Sequence, residues 1–311
     1  MPSLPSRVRV RSLTLEIISR YVALGNEFGS LMTDLIYESH LTSPELSRFA
    51  SSHFDYCIDR SNAIYLLLRQ HAYWDAEIVM RPLIECTVRM CYVCYAPSDA
   101  IPNLIEEYAR SLYEVNRLEQ SERAKKSQTL AYATRRGGGR YDNPIILPSD
   151  AEEYLRSRWP KSKRQALKQK WSFSEMIKQL DQWVKPHFKI DIFSNFIHSY
   201  GISSHLIHAD ESGMGVVSNR KAKPENEQSM METTHLNKLL DLALTSSMLT
   251  TIGMAVVTNN RVEEAVELVN KYVSLQSRED PAVVALMEKW ALKGEELNSL
   301  DRVNLGLPEQ T

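Results

Sequence analysis

Glycine and proline are scarce in this chain, 11 and 13 among 311 residues, which excludes a Gly-rich all-β protein and a low-complexity one. Alternation of apolar and polar residues at period two is nearly absent, so a sheet has little to be built from. Cysteine is limited to four residues, three of them in the apolar segment 86–94. That is too few and too clustered for a disulfide framework, so they read as reduced thiols in a core, with the cytoplasm as the simplest compartment. No apolar stretch of about 18 residues is read, and the basic opening Met1-Pro-Ser-Leu-Pro-Ser-Arg-Val-Arg-Val-Arg11 has no signal-peptide stretch behind it. Neither secretion nor a membrane partner is expected. A P-loop, a dinucleotide-binding glycine fingerprint, a nucleophile elbow and the H-E-x-x-H zinc motif are all missing. No cofactor is expected.

What is present is helical period. Hydrophobic residues make up 43% and charged residues 24%, and the apolar ones recur at three and four in 12–39, 44–71, 101–126, 228–258, 260–276 and 280–298. The fold class is therefore all-α, a multi-helix bundle forming a single helical domain over 1–311. Ser43-Pro44 and Glu279-Asp280-Pro281 read as helix starts. Residues 76–96 are apolar almost all round, as in a helix at the centre of a bundle, and Pro82 should kink it or begin its second half. Segments 127–150, with Arg135-Arg-Gly-Gly-Gly-Arg140, and 211–227, with Gly213, Gly215 and Pro224, read as loops.

Charge is unevenly spread. The formal net charge is −2, yet residues 123–170 hold 13 Lys+Arg against 4 Asp+Glu, leaving the remainder at −11. This predicts a basic loop-helix insertion at 127–170. It would either bind RNA or DNA through Arg135, Arg136, Arg140, Arg156, Arg158, Lys161, Lys163 and Arg164, or dock on an acidic bundle. Tyr132, Tyr141, Tyr154, Trp159 and Trp171 are available to stack on bases.

The segment Phe196-Ile-His-Ser-Tyr-Gly-Ile-Ser-Ser-His-Leu-Ile-His-Ala-Asp210 sets Tyr200, Ser204 and His208 four apart, on one face of a helix with Phe193 and Ile197. A hydroxyl ladder ending in an imidazole, turned inward, needs polar partners. It suits proton transfer or a structural hydrogen-bond network. A metal held by His198, His205, His208 and Asp210 is disfavoured, since a seven-residue separation spans about 10 Å. Arg81, Glu85 and Arg89 form a second line, four apart on the otherwise apolar helix 76–96. Two guanidinium groups there would bind a phosphate or carboxylate, with Glu85 orienting them; ordinary helix ion pairs are the alternative. Cys86, Cys91 and Cys94 match an iron–sulfur spacing but continue an apolar helix, so core packing is expected. Arg48 and His53 fit an R-x4-6-H pattern, at a frequency chance alone supplies.

The run Ala72-Tyr-Trp-Asp-Ala-Glu-Ile-Val-Met-Arg-Pro-Leu-Ile-Glu85, taken with Tyr200-x3-Ser204-x3-His208, resembles a large family of uncharacterised bacterial all-helical proteins. The family is classed as a domain of unknown function, with an R-P-L-x-E helix followed by Y-x3-S-x3-H. The resemblance covers about 60–210. It implies a bundle in which Arg81 and Glu85 face Tyr200, Ser204 and His208, and it implies no established activity. Some such families lie near phage-defence genes and look distantly like HEPN ribonucleases. The expectation is an effector acting on RNA or another phosphate-bearing ligand, with His208 and Tyr200 moving protons beside Ser204 and Glu85. The competing expectation is a non-catalytic interaction or sensor bundle, with a protein partner or a second copy.

Overall fold

The computed structural model describes residues 7–133, 143–185 and 193–276. Among them the chain is helical and holds no strand. Helix α1 (Arg7–Thr42) pairs with α2 (Pro44–Arg69), and α3 (Tyr73–Cys94) runs through the centre. A short α4 (Ile101–Glu106) leads through a π-helical turn (Glu107–Leu112) into α5 (Tyr113–Ala133). The insertion returns as α6 (Ser149–Arg158) and α7 (Lys161–Lys170). Helices α8 (Phe173–Val184), α9 (Asn195–His208), α10 (Glu211–Lys221), α11 (Glu225–Thr258) and α12 (Val262–Gln276) complete it.

Why α3 is central follows from its composition. Met80, Leu83, Ile84, Val88, Met90, Cys91 and Val93 are all fully buried, so the helix meets neighbours on nearly every side: α2, α11, α9 and α8. Each such side chain contributes about 1.5–3 kcal/mol on leaving water. Pro82 lies inside one continuous helix. Cys86, Cys91 and Cys94 are buried on it as free thiols. Helix α11 is long and apolar enough to pass for a membrane span, with over half of its apolar window buried in the bundle against α3 and α1. That corrects the reading that no such run exists.

Two other expectations need correction. Residues 211–221 form α10, not a loop, because Asp210 caps it by accepting from the Gly213 amide at 3.0 Å, satisfying one of the free amides of the first turn. Helix α5 also continues to Ala133 and α6 begins at Ser149, so both ends of the stretch 127–150 are helical and not loop. Arg135, Arg136 and Arg140 fall between them. Those three arginines, Tyr141 and the helix expected at 280–298 lie outside the described residues.

Candidate functional site

Glu77, Arg81 and Glu85 stand four apart on α3, and therefore on one line of that helix. Ser203 meets Glu77 while Tyr200 meets Arg81, so α9 lies antiparallel along this line. Arg81 is the hub. Its Nε donates to Glu85 at 3.1 Å, one terminal nitrogen to Ser204 Oγ at 3.1 Å, and the other to the Tyr200 hydroxyl at 2.8 Å. Phe173 of α8 stacks on the Tyr200 ring at 4.1 Å. Burial would lower the Arg81 pKa; the bonds to Glu85 and Tyr200 outweigh it and hold the guanidinium above its usual value. The side chain is 21% exposed, so the cation is fixed in direction yet reachable from water.

One turn toward the start of α3 the same line goes under cover. Glu77 is fully buried, and its two carboxylate oxygens accept from Ser203, Lys238 and His235, the last at 2.8 Å. Burial raises the Glu77 pKa, but the bonds from His235 and Lys238 prevail and leave it below the ordinary carboxylate value. Arg220 donates to His235 Nδ1 at 3.0 Å. Arginine only donates, so His235 must accept at Nδ1 and carry its proton at Nε2, toward Glu77, as a neutral imidazole. Burial lowers its pKa, against the pull of Glu77. The Arg220 guanidinium rests 4.0 Å from the Trp74 ring centroid, a cation–π contact. Glu77, His235, Lys238, Arg220 and Ser203 were not anticipated, and the one signal available was Glu77 itself, four residues before Arg81 in a nearly apolar helix.

The inward stripe of α9 is displaced from the expected one. Phe196, Ser199 and Ser203 are buried, Tyr200 and Ser204 sit on the flank, and Ile197 and His208 are exposed. Phe193 is buried just before the helix begins. His208 follows Ser204 by one turn, about 6 Å along the axis. His198 and His205 are also exposed, and His205 binds Asp210 at 2.7 Å. Among the described residues no group of His, Cys, Asp or Glu is arranged to hold a metal.

Arg89 belongs to a different neighbourhood from Arg81. Its guanidinium lies 6.0 Å from the Tyr108 ring, on the π-helical turn and beside His53. Burial, chiefly, pushes the His53 imidazole down to about 4, although its bond to the Phe49 carbonyl opposes this and the Arg89 charge adds to it. Arg48 is exposed while His53 is buried, so the R-x4-H pair occupies two unlike environments.

In the basic insertion, Arg156 bonds Glu152 at 2.8 Å and Glu122 at 3.1 Å; Arg158 bonds Glu114 at 3.1 Å and Arg164 bonds Glu122 at 3.4 Å. Trp159 and Trp171 donate to Glu114 and Glu107, so both rings are engaged against the bundle. Lys161 and Lys163 are exposed. Of the two expected uses of this positive charge, docking on the glutamates of α5 thus occupies Arg156, Arg158 and Arg164.

A family model described as a family of unknown function, DUF5677, matches residues 48–223, more than half of the chain. The chain belongs to that family, and the match spans α2 through α10, including Arg81, Glu85, Tyr200, Ser204 and His208. No curated protein and no solved structure matches it.

Proposed function

We propose that the protein acts on RNA or another phosphate-bearing ligand at the seam between α3 and α9, with Arg81 as the anion anchor. The carrying observation is the Arg81 guanidinium, held in one orientation by Glu85, Tyr200 and Ser204 while still partly exposed. Preorganised donors recognise phosphate oxygens without a further ordering cost. Ser204 and the Tyr200 hydroxyl flank the anchor, and His208, exposed one turn on, is the group suited to proton transfer. Arg89 is not part of this reading, because it faces Tyr108.

The test is binding of a short single-stranded RNA to the full chain at 50 mM salt, with Arg81→Lys and His208→Ala. Lysine keeps the charge but loses the fork, so Arg81→Lys should weaken binding about tenfold with the melting temperature nearly unchanged. His208→Ala should leave binding in place and abolish any turnover. Absence of RNA retention at this salt overturns the reading for RNA, and absence of inorganic phosphate binding as well overturns it altogether.

A second reading is a non-catalytic bundle whose polar seam fixes helix register. Its support is that Glu77, the most heavily bonded member, is fully buried and satisfied by protein partners. Under it, Arg81→Lys lowers stability and changes no ligand affinity.

A further inference from the structure

The antiparallel faces of α5 and α7 flank an open cleft of about 690 Å³, within the range of small-molecule sites. Arg123 and Lys126 enter it from α5, and Lys161, Arg164 and Lys168 from α7. The carboxylates present are Glu119 and Glu122. Glu119 is shared by Lys168 at 2.9 Å and Arg123 at 3.7 Å, and Glu122 takes Arg164 at 3.4 Å. Five cations therefore meet two anions, an excess of three positive charges. Lys126 and Lys161 have no ion-pair partner among the described residues. Arg164 keeps a buried Nε–H with no acceptor.

Like charges gathered on two facing helices oppose each other, which disfavours their convergence unless an anion completes the site. The remaining lining is Gln165 and Gln169, whose amides also donate. No aromatic or aliphatic side chain lines the cleft, so it has nothing to stack a base or seat a peptide side chain. What it can recognise is the anion alone, and three uncompensated charges call for more than one phosphate.

We infer that the α5–α7 cleft is a binding site for a compact oligophosphate group, held by Lys126, Lys161 and Arg164 and distinct from the Arg81 seam. The occupant is a chain of two or three linked phosphates, recognised without regard to any attached base.

Isothermal titration of the full-length protein with inorganic tripolyphosphate, at 50 mM salt, tests this. The double variant Lys126→Ala/Lys161→Ala removes two side chains that make no hydrogen bond or ion pair to the described protein, so the fold is kept. It should lower tripolyphosphate affinity at least tenfold. Lys163→Ala, on the same helix but outside the cleft, should change it less than twofold, and so should Arg81→Lys. ATP should bind with an affinity similar to that of tripolyphosphate and show the same dependence on Lys126 and Lys161. No binding of tripolyphosphate overturns the proposal, and so does an equal loss in Lys163→Ala, which would mean a diffuse basic face. A loss confined to Arg81→Lys also overturns it, since the anion would then belong to the α3–α9 seam.

Discussion

Glu77 is where the molecule commits most to a single side chain. A carboxylate with no solvent access is costly unless its oxygens are fully engaged, and here Ser203, His235 and Lys238 engage them. Glu77→Gln keeps the shape but removes the charge that Lys238 and His235 answer. It should cost about 2–4 kcal/mol, read as a lower urea midpoint; a loss below 1 kcal/mol would mean that the network carries little stability. The pH profile has a defined sign. His53 titrates at about 4 in the folded chain, against 6.5 for an ordinary imidazole, so the unfolded chain binds its proton first. Stability from this group is complete above pH 6.5 and falls as the pH drops toward 4, by about 3 kcal/mol at 1.36 kcal/mol per unit. His235, also depressed, begins its loss in the same region; Glu77, depressed as well, adds its loss below the ordinary carboxylate value. Urea midpoints between pH 7 and 4.5 should therefore decline steeply, and His53→Gln should make the decline shallower whatever its cost at pH 7. An unchanged slope in that variant would remove His53 from the explanation.

Helix α10 shows what decides an element when periodicity does not. Glu211-Ser-Gly-Met-Gly-Val-Val-Ser-Asn-Arg-Lys221 has two glycines and no clear apolar stripe, so in the sequence it resembles a loop. The determinants are a cap and a close approach, both dependent on a neighbouring helix. Asp210 holds the first turn and also His205, and Gly213 packs so tightly on the end of α9 that a Cβ there would stand 2.5 Å from the His205 carbonyl oxygen. Gly213→Ala should therefore push α10 away from α9 and cost about 1–3 kcal/mol. Gly215→Ala, with no atom within 4 Å of the new methyl, should be neutral or raise stability by up to about 1 kcal/mol, as alanine favours helix. Melting temperatures of the pair give the answer, and equal shifts would refute the packing account. The same dependence on neighbours explains the displaced stripe of α9. Tyr200, Ser204 and His208 share a face as their spacing requires, but which strip of the helix turns inward was settled by the burial of Phe196 and by the bond from Ser203 to Glu77 of α3.

At the scale of the whole chain, two parts are held by different forces. The bundle of α1, α2, α3 and α11 is joined through fully buried side chains such as Phe28, Leu68, Leu83 and Leu240, and its helices were legible because long apolar periods need no partner to be recognised. The polar clusters were less legible because they close between distant residues: Glu77 with His235 and Lys238, or Arg158 with Glu114. The insertion is of the second kind. Leu167 and Trp171 are its buried apolar anchors, and otherwise α6 and α7 sit on α5 through Lys125, Arg156, Arg158 and Lys168, and on the π-helical turn through Lys170, each in an ion pair with a glutamate. Partly exposed pairs of this sort are worth about 0–1 kcal/mol each, and at 1 M salt the screening length falls to about 3 Å. Salt also relieves the repulsion between Lys126 and Lys161, but these attractive pairs outnumber that single unpaired couple, so the net effect should loosen the insertion. Native-state hydrogen exchange should show α6 and α7 opening well below the free energy of global unfolding, and opening further on going from 0.1 to 1 M salt, while α3 and α11 amides stay fixed. Uniform protection at both salt concentrations would mean that Leu167 and Trp171 alone bind the insertion to the core. In that case Leu167→Ala, and not the ionic strength, would release it.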